Sequence, residues 1–156
     1  MAPEARRRLL IVYHTQSGHT GQLADAVLEG ARRVNGVSPV LQRAFDTDAD
    51  DLRAAAGLLL GTPENFGTMS GGLKDFFDRT YYPVEGEMEG IPYAVFVSAG
   101  NDGTGAVREI GRIANGYGWR CIADALIVRG EVTEADLDAA RDLGEAMAGG
   151  LEMGIF

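Results

Sequence analysis

The sequence predicts an α/β domain in which a five-stranded parallel sheet of order 2-1-3-4-5 carries helices on both faces. Five short apolar runs alternate with longer segments of helical periodicity, as in sheets built from strand–helix–strand units. Three of the runs are continuously apolar, which is typical of strands buried on both faces, and the other two contain polar residues. The chain of 156 residues is expected to form one domain, residues 1–156.

The apolar runs define the predicted strands and their order. The first, third and fourth runs are continuous, which favours central positions in the sheet. The second run begins at Pro39 and contains Gln42 and Arg43, and the fifth is interrupted by Asp124, so both are predicted to be edge strands. This arrangement favours order 2-1-3-4-5 over the other common doubly wound order, in which the third strand lies at an edge. The predicted strands are residues 9–13, 39–45, 58–62, 93–98 and 121–128.

Helices are predicted between these strands by apolar residues at three- and four-residue spacing. Two helices are expected to begin with a capping box, in which a Thr hydroxyl and an Asp carboxylate three residues later each accept a backbone amide. These boxes are Thr47 with Asp50, opening a short helix through Ala56, and Thr133 with Asp136, opening the last helix. The other predicted helices have apolar positions within 23–34, 70–81 and 104–117.

Composition limits the class of protein. A net charge of −9 opposes contact with phosphate backbones, so no nucleic acid partner is expected. The single cysteine, Cys121, excludes an internal disulfide and a multi-cysteine metal site, and it is expected to be a small buried side chain. No apolar run approaches the ~20 residues of a membrane span, and too few apolar residues follow Arg6–Arg8 for a signal peptide. We therefore expect a cytoplasmic protein without a membrane span.

Three polar loops follow the first, third and fourth predicted strands, at the sheet edge where doubly wound proteins bind ligands. They read HTQSGHTG (14–21), GTPENFGTMSGG (61–72) and SAGNDGTG (98–105). Taken alone, the first loop fits either an ordinary turn with a helix cap or a group of amides and hydroxyls that holds an anion. No G-x-G-x-x-G follows the first strand. GTMSGGLK departs from the phosphate loop of nucleotide hydrolases at Leu73 and Asp75, so nucleotide hydrolysis is not expected.

Together the three loops resemble those of flavodoxin-like proteins. TQSGHT at 15–20 resembles the flavodoxin phosphate loop. GTPENFGTMS at 61–70 is similar to the G-[ST]-P-x-x-F-G-x-M-[SA] pattern of the NAD(P)H:quinone oxidoreductases named for tryptophan-repressor-binding protein. SAGNDGTG resembles their S-x-G loop after the fourth strand. The resemblance covers essentially the whole chain and implies a flavodoxin-like fold, FMN as cofactor and NAD(P)H as a co-substrate.

The resemblance also implies roles for individual residues. The FMN phosphate would be held by Thr15, Gln16, Ser17, Gly18, His19 and Thr20. One side of the isoalloxazine would be lined by Pro63, Glu64, Asn65, Phe66 and Gly67. The other edge would be approached, with backbone amides available to the flavin carbonyls, by Ser98, Ala99, Gly100, Asn101, Asp102 and Gly103. No catalytic side chain and no metal ligand is assigned, because the cofactor carries the redox chemistry.

The sequence departs from the quinone oxidoreductases at Tyr117, which stands where they place a histidine near the flavin, and it lacks the insertions that build their tetramer. Loop 98–105 also lacks the aromatic residue that covers the flavin in electron-carrier flavodoxins. Tyr117 or a neighbouring subunit is a candidate to cover that face, so a homo-oligomer is left open. An open face favours an enzyme that takes electrons from NAD(P)H to a quinone or similar small acceptor.

Two alternatives remain at this stage. One is a flavodoxin-type electron carrier whose acidic surface docks on a basic redox partner protein. The other is a flavin-free phospho-receiver of the same strand order. The receiver is disfavoured because such domains need an acidic cluster after the first strand and an Asp after the third, where this chain has His14-Thr15 and Gly61-Thr62-Pro63.

Overall fold

The computed structural model describes residues 7–156; residues 1–6, including Arg6 of the basic cluster and the start of the predicted domain, lie outside the described range. The strands are β1 Arg7–Tyr13, β2 Val37–Arg43, β3 Gly57–Asn65, β4 Thr68–Met69, β5 Pro92–Ala99, β6 Arg120–Cys121 and β7 Leu126–Arg129. The helices are α1 His19–Ala31, α2 Ala49–Arg53, α3 Gly71–Val84, α4 Thr104–Tyr117 and α5 Glu134–Met153, with a 3₁₀ turn at Ala44–Asp46.

The sheet is an α/β sheet whose main path runs β2-β1-β3-β5-β6, with parallel pairing throughout that path. The prediction of five strands is wrong in detail. The short strand β4 pairs antiparallel with the end of β3 and makes a hairpin. The predicted fifth strand is divided into β6 and β7, which both pair with β5, because the segment around Asp124 leaves the sheet. The α/β class and the central positions of β1, β3 and β5 are confirmed.

Two apolar cores flank the sheet, because successive strand residues point to opposite faces. Leu10 and Val12 of β1 belong to the core beneath α3 and α4, where Phe76 and Phe77 are the large buried side chains. Leu9 and Ile11 belong to the core beneath α1 and α5. Burying each of these leucines stabilises the fold by roughly 1.5–3 kcal/mol. The layers thereby fix the ends of β1, β3 and β5 at one edge of the sheet.

Helices α1 and α5 approach each other backbone to backbone. A Cβ atom built on Gly144 would lie 2.0 Å from the carbonyl oxygen of Val27, and one built on Gly30 would lie 1.8 Å from that of Arg141. Only a residue without a side chain fits at either position. The two glycines therefore set the separation of this helix pair on its face of the sheet.

One predicted capping box is confirmed and the other is displaced by one residue. Thr133 and Asp136 form the box that opens α5. The box that opens α2 uses Asp48 and Asp51 instead of Thr47 and Asp50. Thr47 is buried, and its hydroxyl donates a 2.8 Å hydrogen bond to the carbonyl oxygen of Arg43. This bond to the preceding turn occupies the Thr47 hydroxyl, and Asp48 caps the helix instead.

The prediction that Cys121 is buried is wrong. Cys121 ends the two-residue strand β6 at the edge of the sheet, where its side chain is exposed. Its thiol donates a 3.4 Å hydrogen bond to the carbonyl oxygen of Ala123.

Within residues 7–156, no helix combines the length and the apolar character needed to cross a membrane. Over the same range, no group of three or more His, Cys, Asp or Glu side chains is arranged to hold a metal ion.

Candidate functional site

The three polar loops meet at the carboxyl ends of β1, β3 and β5, as predicted, and enclose a cleft of about 330 Å³. Nine predicted site residues line this cleft: Gln16, Ser17, His19, Pro63, Glu64, Asn65, Ser98, Ala99 and Gly100. A tenth lining residue, Gly130, directly follows β7 and is not among the predicted site residues. Its position could have indicated a place in the site, because the last strand also ends at this edge of the sheet.

The first loop is held by the hydroxyl of Thr15. This oxygen accepts hydrogen bonds of 3.2 Å from the backbone amides of Gly18 and Gly21. Gly18 has φ 101°, a left-handed conformation that favours glycine, and it leads directly into α1. Thr15 thus supports the loop from within, and Gln16, Ser17 and Gly18 are its exposed residues. The amino end of α1 presents positive partial charge beside them.

Thr20 connects the first loop to the third. It is buried in the first turn of α1, and its hydroxyl shares a 2.8 Å hydrogen bond with the hydroxyl of Ser98, which is also buried. Thr20 and Ser98 therefore position the two walls of the cleft relative to each other.

The second loop is the β3–β4 hairpin, which forms a raised wall of the cleft. Its tip, Phe66, has φ 51° and is fully exposed. Positive φ is uncommon for an aromatic residue and indicates local strain. The turn of the hairpin is held on both sides of Phe66. Asn65 donates a 2.5 Å hydrogen bond from Nδ2 to Oε1 of Gln16, and the carbonyl of Gly67 lies so close to Gly105 that no Cβ fits there. In this conformation Phe66 points to solvent.

The third loop is fastened to the hairpin by Glu64. Its carboxylate accepts hydrogen bonds from the backbone amides of Gly103, at 2.8 Å, and Asn101, at 3.3 Å. We expected these amides to be available to flavin carbonyls, and that expectation needs correction because Glu64 occupies both. Gly103 is the residue that precedes α4, so the carboxylate also lies at the positive end of that helix.

Asp102 braces the same loop from the other side. Its carboxylate accepts hydrogen bonds from the amide and the hydroxyl of Thr104, at 3.0 and 2.9 Å. The bond from the Thr104 amide is the main reason why the pKa of Asp102 is lowered. Arg129 at the end of β7 donates a 2.9 Å hydrogen bond to the carbonyl oxygen of Asp102. The carboxylate of Asp102 therefore stabilises the conformation of the third loop.

Tyr117 does not belong to the site. It ends α4, which runs from the carboxyl edge of the sheet to the amino edge, so it lies at the opposite end from the cleft. Its side chain is only 4% exposed, and its hydroxyl donates to the carbonyl oxygen of Phe77 and contacts the hydroxyl of Thr80, both at 2.8 Å. Burial raises the pKa of Tyr117 to about 12. The expectation that Tyr117 covers a flavin face in this chain is wrong.

A buried network beneath the cleft joins the first loop to α3. Nδ1 of His14 and the hydroxyl of Ser70 share a 2.9 Å hydrogen bond, and Ser70 Oγ also accepts from the amide of Leu73 in the first turn of α3. The amide of Ser70 donates to the hydroxyl of Thr62. Burial, with a smaller contribution from Arg43, lowers the pKa of His14. These contacts give His14 a structural role between the first loop and α3.

His19 faces the opposite rim of the cleft. Its Nε2 lies 3.6 Å from a carboxylate oxygen of Glu131, an exposed residue next to Gly130. This pair brings the start of α1 together with the chain that follows β7. His19 is thereby a rim residue, at the end of the cleft where the phosphate contact was predicted.

A larger depression of about 600 Å³ lies on the other side of the hairpin, between α3 and α4. Lys74, Glu109, Arg112 and Ile113 are among its lining residues. None of the predicted site residues lines it. We therefore take the smaller cleft, where the three loops converge, as the candidate site.

Comparison with known proteins bears on the family and the fold of the chain. The model of the family described as NADPH-dependent FMN reductase matches residues 13–128. A flavodoxin of Aquifex aeolicus is 35% identical over 98 residues, which are 63% of this chain and 53% of that protein. An NAD(P)H dehydrogenase (quinone) of Acidithiobacillus ferrooxidans is 35% identical in an alignment of 112 residues that covers 58% of this chain and 56% of that protein. The match spans little more than half the length of either relative.

Solved structures agree on the fold. A flavodoxin from the domain Archaea has a TM-score of 0.83 at 23% identity, covering 93% of this chain and 99% of that one. A flavodoxin, WrbA-like protein of Agrobacterium tumefaciens has a TM-score of 0.77 at 24% identity, covering 92% and 96%. Likeness at this level of identity shows a flavodoxin-like fold.

Proposed function

Because the chain belongs to the NADPH-dependent FMN reductase family, we propose that it binds FMN in the cleft between the three loops. We propose further that it passes electrons from NAD(P)H to a quinone or a similar small acceptor. The observation that carries the proposal is the convergence of loops 14–21, 61–72 and 98–105 on one cleft at the carboxyl edge of the sheet. Doubly wound sheets bind their cofactors at this edge.

The phosphate of FMN fits the first loop. An exposed hydroxyl at Ser17, the left-handed Gly18 and the amino end of α1 supply donors and positive partial charge without a Lys or Arg. Thr15 and Thr20 support this loop from within, through their bonds to Gly18 and Ser98. These internal bonds hold the loop in its shape.

The ring end of FMN fits between the chain segments at the carboxyl ends of β3 and β5. Pro63 and Asn65 line one wall, and Ala99 and Gly100 line the other. These small or short side chains leave space for a flat ring. When bound, FMN supplies the ability to take a hydride and release electrons to an acceptor. The contribution of this chain is to hold the ring and leave one face accessible.

An accessible ring face supports an enzyme over a carrier. Loop 98–105 contains no aromatic residue, Phe66 points to solvent, and Tyr117 lies at the other end of the sheet. A nicotinamide must stack on the ring within hydride-transfer distance, and it must then depart so that the acceptor can bind. Both steps require an opening over one ring face. These three observations favour NAD(P)H as the donor.

A flavodoxin-type electron carrier is the second candidate. The net charge of −9 and the exposed Phe66 at the rim of the cleft favour docking on a basic redox partner protein. The carrier would exchange electrons one at a time with that partner and would not need a nicotinamide.

Anaerobic rapid mixing separates the two candidates. The FMN-loaded protein is mixed with NADPH or NADH while the flavin absorbance is followed, and a quinone is added afterwards. The enzyme predicts bleaching by at least one nicotinamide and recovery of the absorbance with the quinone. Absence of bleaching by both, together with dithionite reduction in two separate one-electron steps, would favour the carrier.

A further inference from the structure

Glu64 joins two walls of the candidate cleft, the β3–β4 hairpin and the third loop. Its two carboxylate oxygens accept separate backbone amides, Oε2 that of Gly103 at 2.8 Å and Oε1 that of Asn101 at 3.3 Å. Glu64 is also one of the residues that line the cleft. An acceptor belonging to the protein thus occupies two donors beside the ring end of the cleft.

The stronger of the two donors, the amide of Gly103, is fixed independently of Glu64. Gly103 has φ 74°, and a Cβ there would lie 2.7 Å from a methyl carbon of Ile127, so its backbone is packed against β7. On either side of it, the carboxylate of Asp102 accepts the amide and the hydroxyl of Thr104, and Arg129 donates to the carbonyl oxygen of Asp102. Moving the Glu64 side chain away would therefore leave the amide of Gly103 in place.

Glu64 itself is the movable partner. It is only partly buried and belongs to the end of β3, in the hairpin whose tip is the exposed Phe66. A glutamate side chain has three rotatable bonds, so its carboxylate can leave the amides by rotation of the side chain alone. Because the amide of Gly103 is fixed and the carboxylate of Glu64 can rotate away, an oxygen atom of a ligand can replace the carboxylate as the acceptor.

We propose that Glu64 competes with the carbonyl oxygens of FMN for the amides of Gly103 and Asn101, and that it thereby limits the affinity for FMN. This inference rests on the proposed function. In the FMN-free protein the carboxylate satisfies both donors and the positive end of α4. Binding of the flavin ring replaces this carboxylate with a flavin oxygen, and the lost contact lowers the net affinity.

The competition predicts that substitution of Glu64 raises the affinity for FMN, although Glu64 lines the binding cleft. Removal of a side chain that contacts the ligand weakens binding, whereas removal of an internal competitor strengthens it. Glu64→Ala is expected to bind FMN more tightly than the wild-type protein by roughly 3- to 10-fold, the equivalent of one ordinary hydrogen bond. Glu64→Gln keeps one carbonyl acceptor without the charge and is expected to fall between the two.

The experiment measures FMN dissociation constants by quenching of flavin fluorescence for the wild-type protein, Glu64→Ala, Glu64→Gln and Glu85→Gln. Glu85 is exposed just beyond α3, so Glu85→Gln controls for the loss of one negative charge and is expected to bind as the wild type does. Amide hydrogen exchange of residues 99–104 is measured on the FMN-free proteins. It is expected to be faster in both Glu64 variants and unchanged in Glu85→Gln. Fluorescence of the single tryptophan, Trp119, reports whether each variant is folded.

The outcomes separate the inference from the function on which it rests. Tighter FMN binding by Glu64→Ala, with faster exchange in the third loop, supports the competition. Equal or weaker binding by a folded Glu64→Ala or Glu64→Gln, where the wild-type protein binds FMN, would overturn the inference and leave the proposed function intact. Absence of FMN binding by the wild-type protein would overturn both.

Discussion

The hydroxyl of Thr20 in α1 and the hydroxyl of Ser98 at the end of β5 share a buried hydrogen bond of 2.8 Å. The bond joins the loop predicted to hold a phosphate to the loop predicted to approach a flavin ring. Among residues 7–156, neither hydroxyl makes another side-chain hydrogen bond, so each depends on the other for its hydrogen-bond partner.

Replacement of one partner therefore leaves the other buried without a partner. Thr20→Val, which keeps the shape of the side chain, is expected to lower the free energy of unfolding by about 1–3 kcal/mol. Denaturant unfolding followed by Trp119 fluorescence measures this loss. In the double variant Thr20→Val/Ser98→Ala the loss is expected to be smaller than the sum of the two single losses. Strict additivity would show that the bond contributes nothing to stability.

Substitution of Gly18 tests whether this glycine is needed for FMN binding as well as for the backbone conformation of the loop. A side chain at its φ of 101° costs about 1–2 kcal/mol of strain, but a Cβ meets no atom within 4 Å, so Gly18→Val is expected to fold. Gly86 has φ 79°, equally open surroundings and a position outside the cleft, which makes Gly86→Val the matched control. Both variants should lose similar stability, and only Gly18→Val should lose FMN affinity in a fluorescence titration. Wild-type affinity in Gly18→Val would reduce the first loop to an ordinary helix cap.

The close approach of α1 and α5 predicts opposite effects of one substitution at two positions of α5. Gly144→Ala places a methyl group 2.0 Å from the carbonyl oxygen of Val27, and overpacking of this kind costs about 1–3 kcal/mol. Gly149→Ala meets no atom within 4 Å and should stabilise the helix by roughly 0.5–1 kcal/mol. Thermal unfolding of both variants measures the difference. A Gly144→Ala protein as stable as the wild type would contradict the packing described for this helix pair.

His14 predicts a loss of stability in mild acid. Burial and the nearby charge of Arg43 lower its pKa from the ordinary value of 6.5, so the unfolded chain binds a proton at a pH where the folded protein does not. The contribution of neutral His14 is complete above about pH 6.5 and is lost as the pH falls below that value. The free energy of unfolding, measured between pH 7.5 and 5.5, should decline less steeply in His14→Gln. An unchanged slope in His14→Gln would show that other groups carry the acid sensitivity.

Much of the fold follows from local pattern. The continuous apolar runs of β1, β3 and β5 predict central strands, and the strand order then predicts which three loops meet. The direction of α4 is equally implicit in that order, yet Tyr117 was assigned to the site by resemblance alone. A helix that follows a parallel strand returns to the amino edge of the sheet, so its last residue cannot reach the cleft.

Other features depend on contacts that pattern does not contain. Thr47 and Asp48 are both able to cap a helix. Asp48 caps α2 because Thr47 is buried and its hydroxyl is bonded to the carbonyl oxygen of Arg43. The hairpin that exposes Phe66 and aims Glu64 at α4 arises from antiparallel pairing beyond the end of β3. Hydrophobic periodicity predicts the strand and carries no information on what its last residues contact.

The most direct test of the central claim is to identify and count the flavin that the purified protein binds. The protein is reconstituted with an equimolar mixture of FMN and FAD, freed of excess flavin, and denatured, and the released cofactor is identified by mass spectrometry and quantified by absorbance. A cleft with one phosphate site at Gly18 and the start of α1 predicts one FMN per chain and little FAD. Recovery of FAD alone, or of no flavin, would contradict the account.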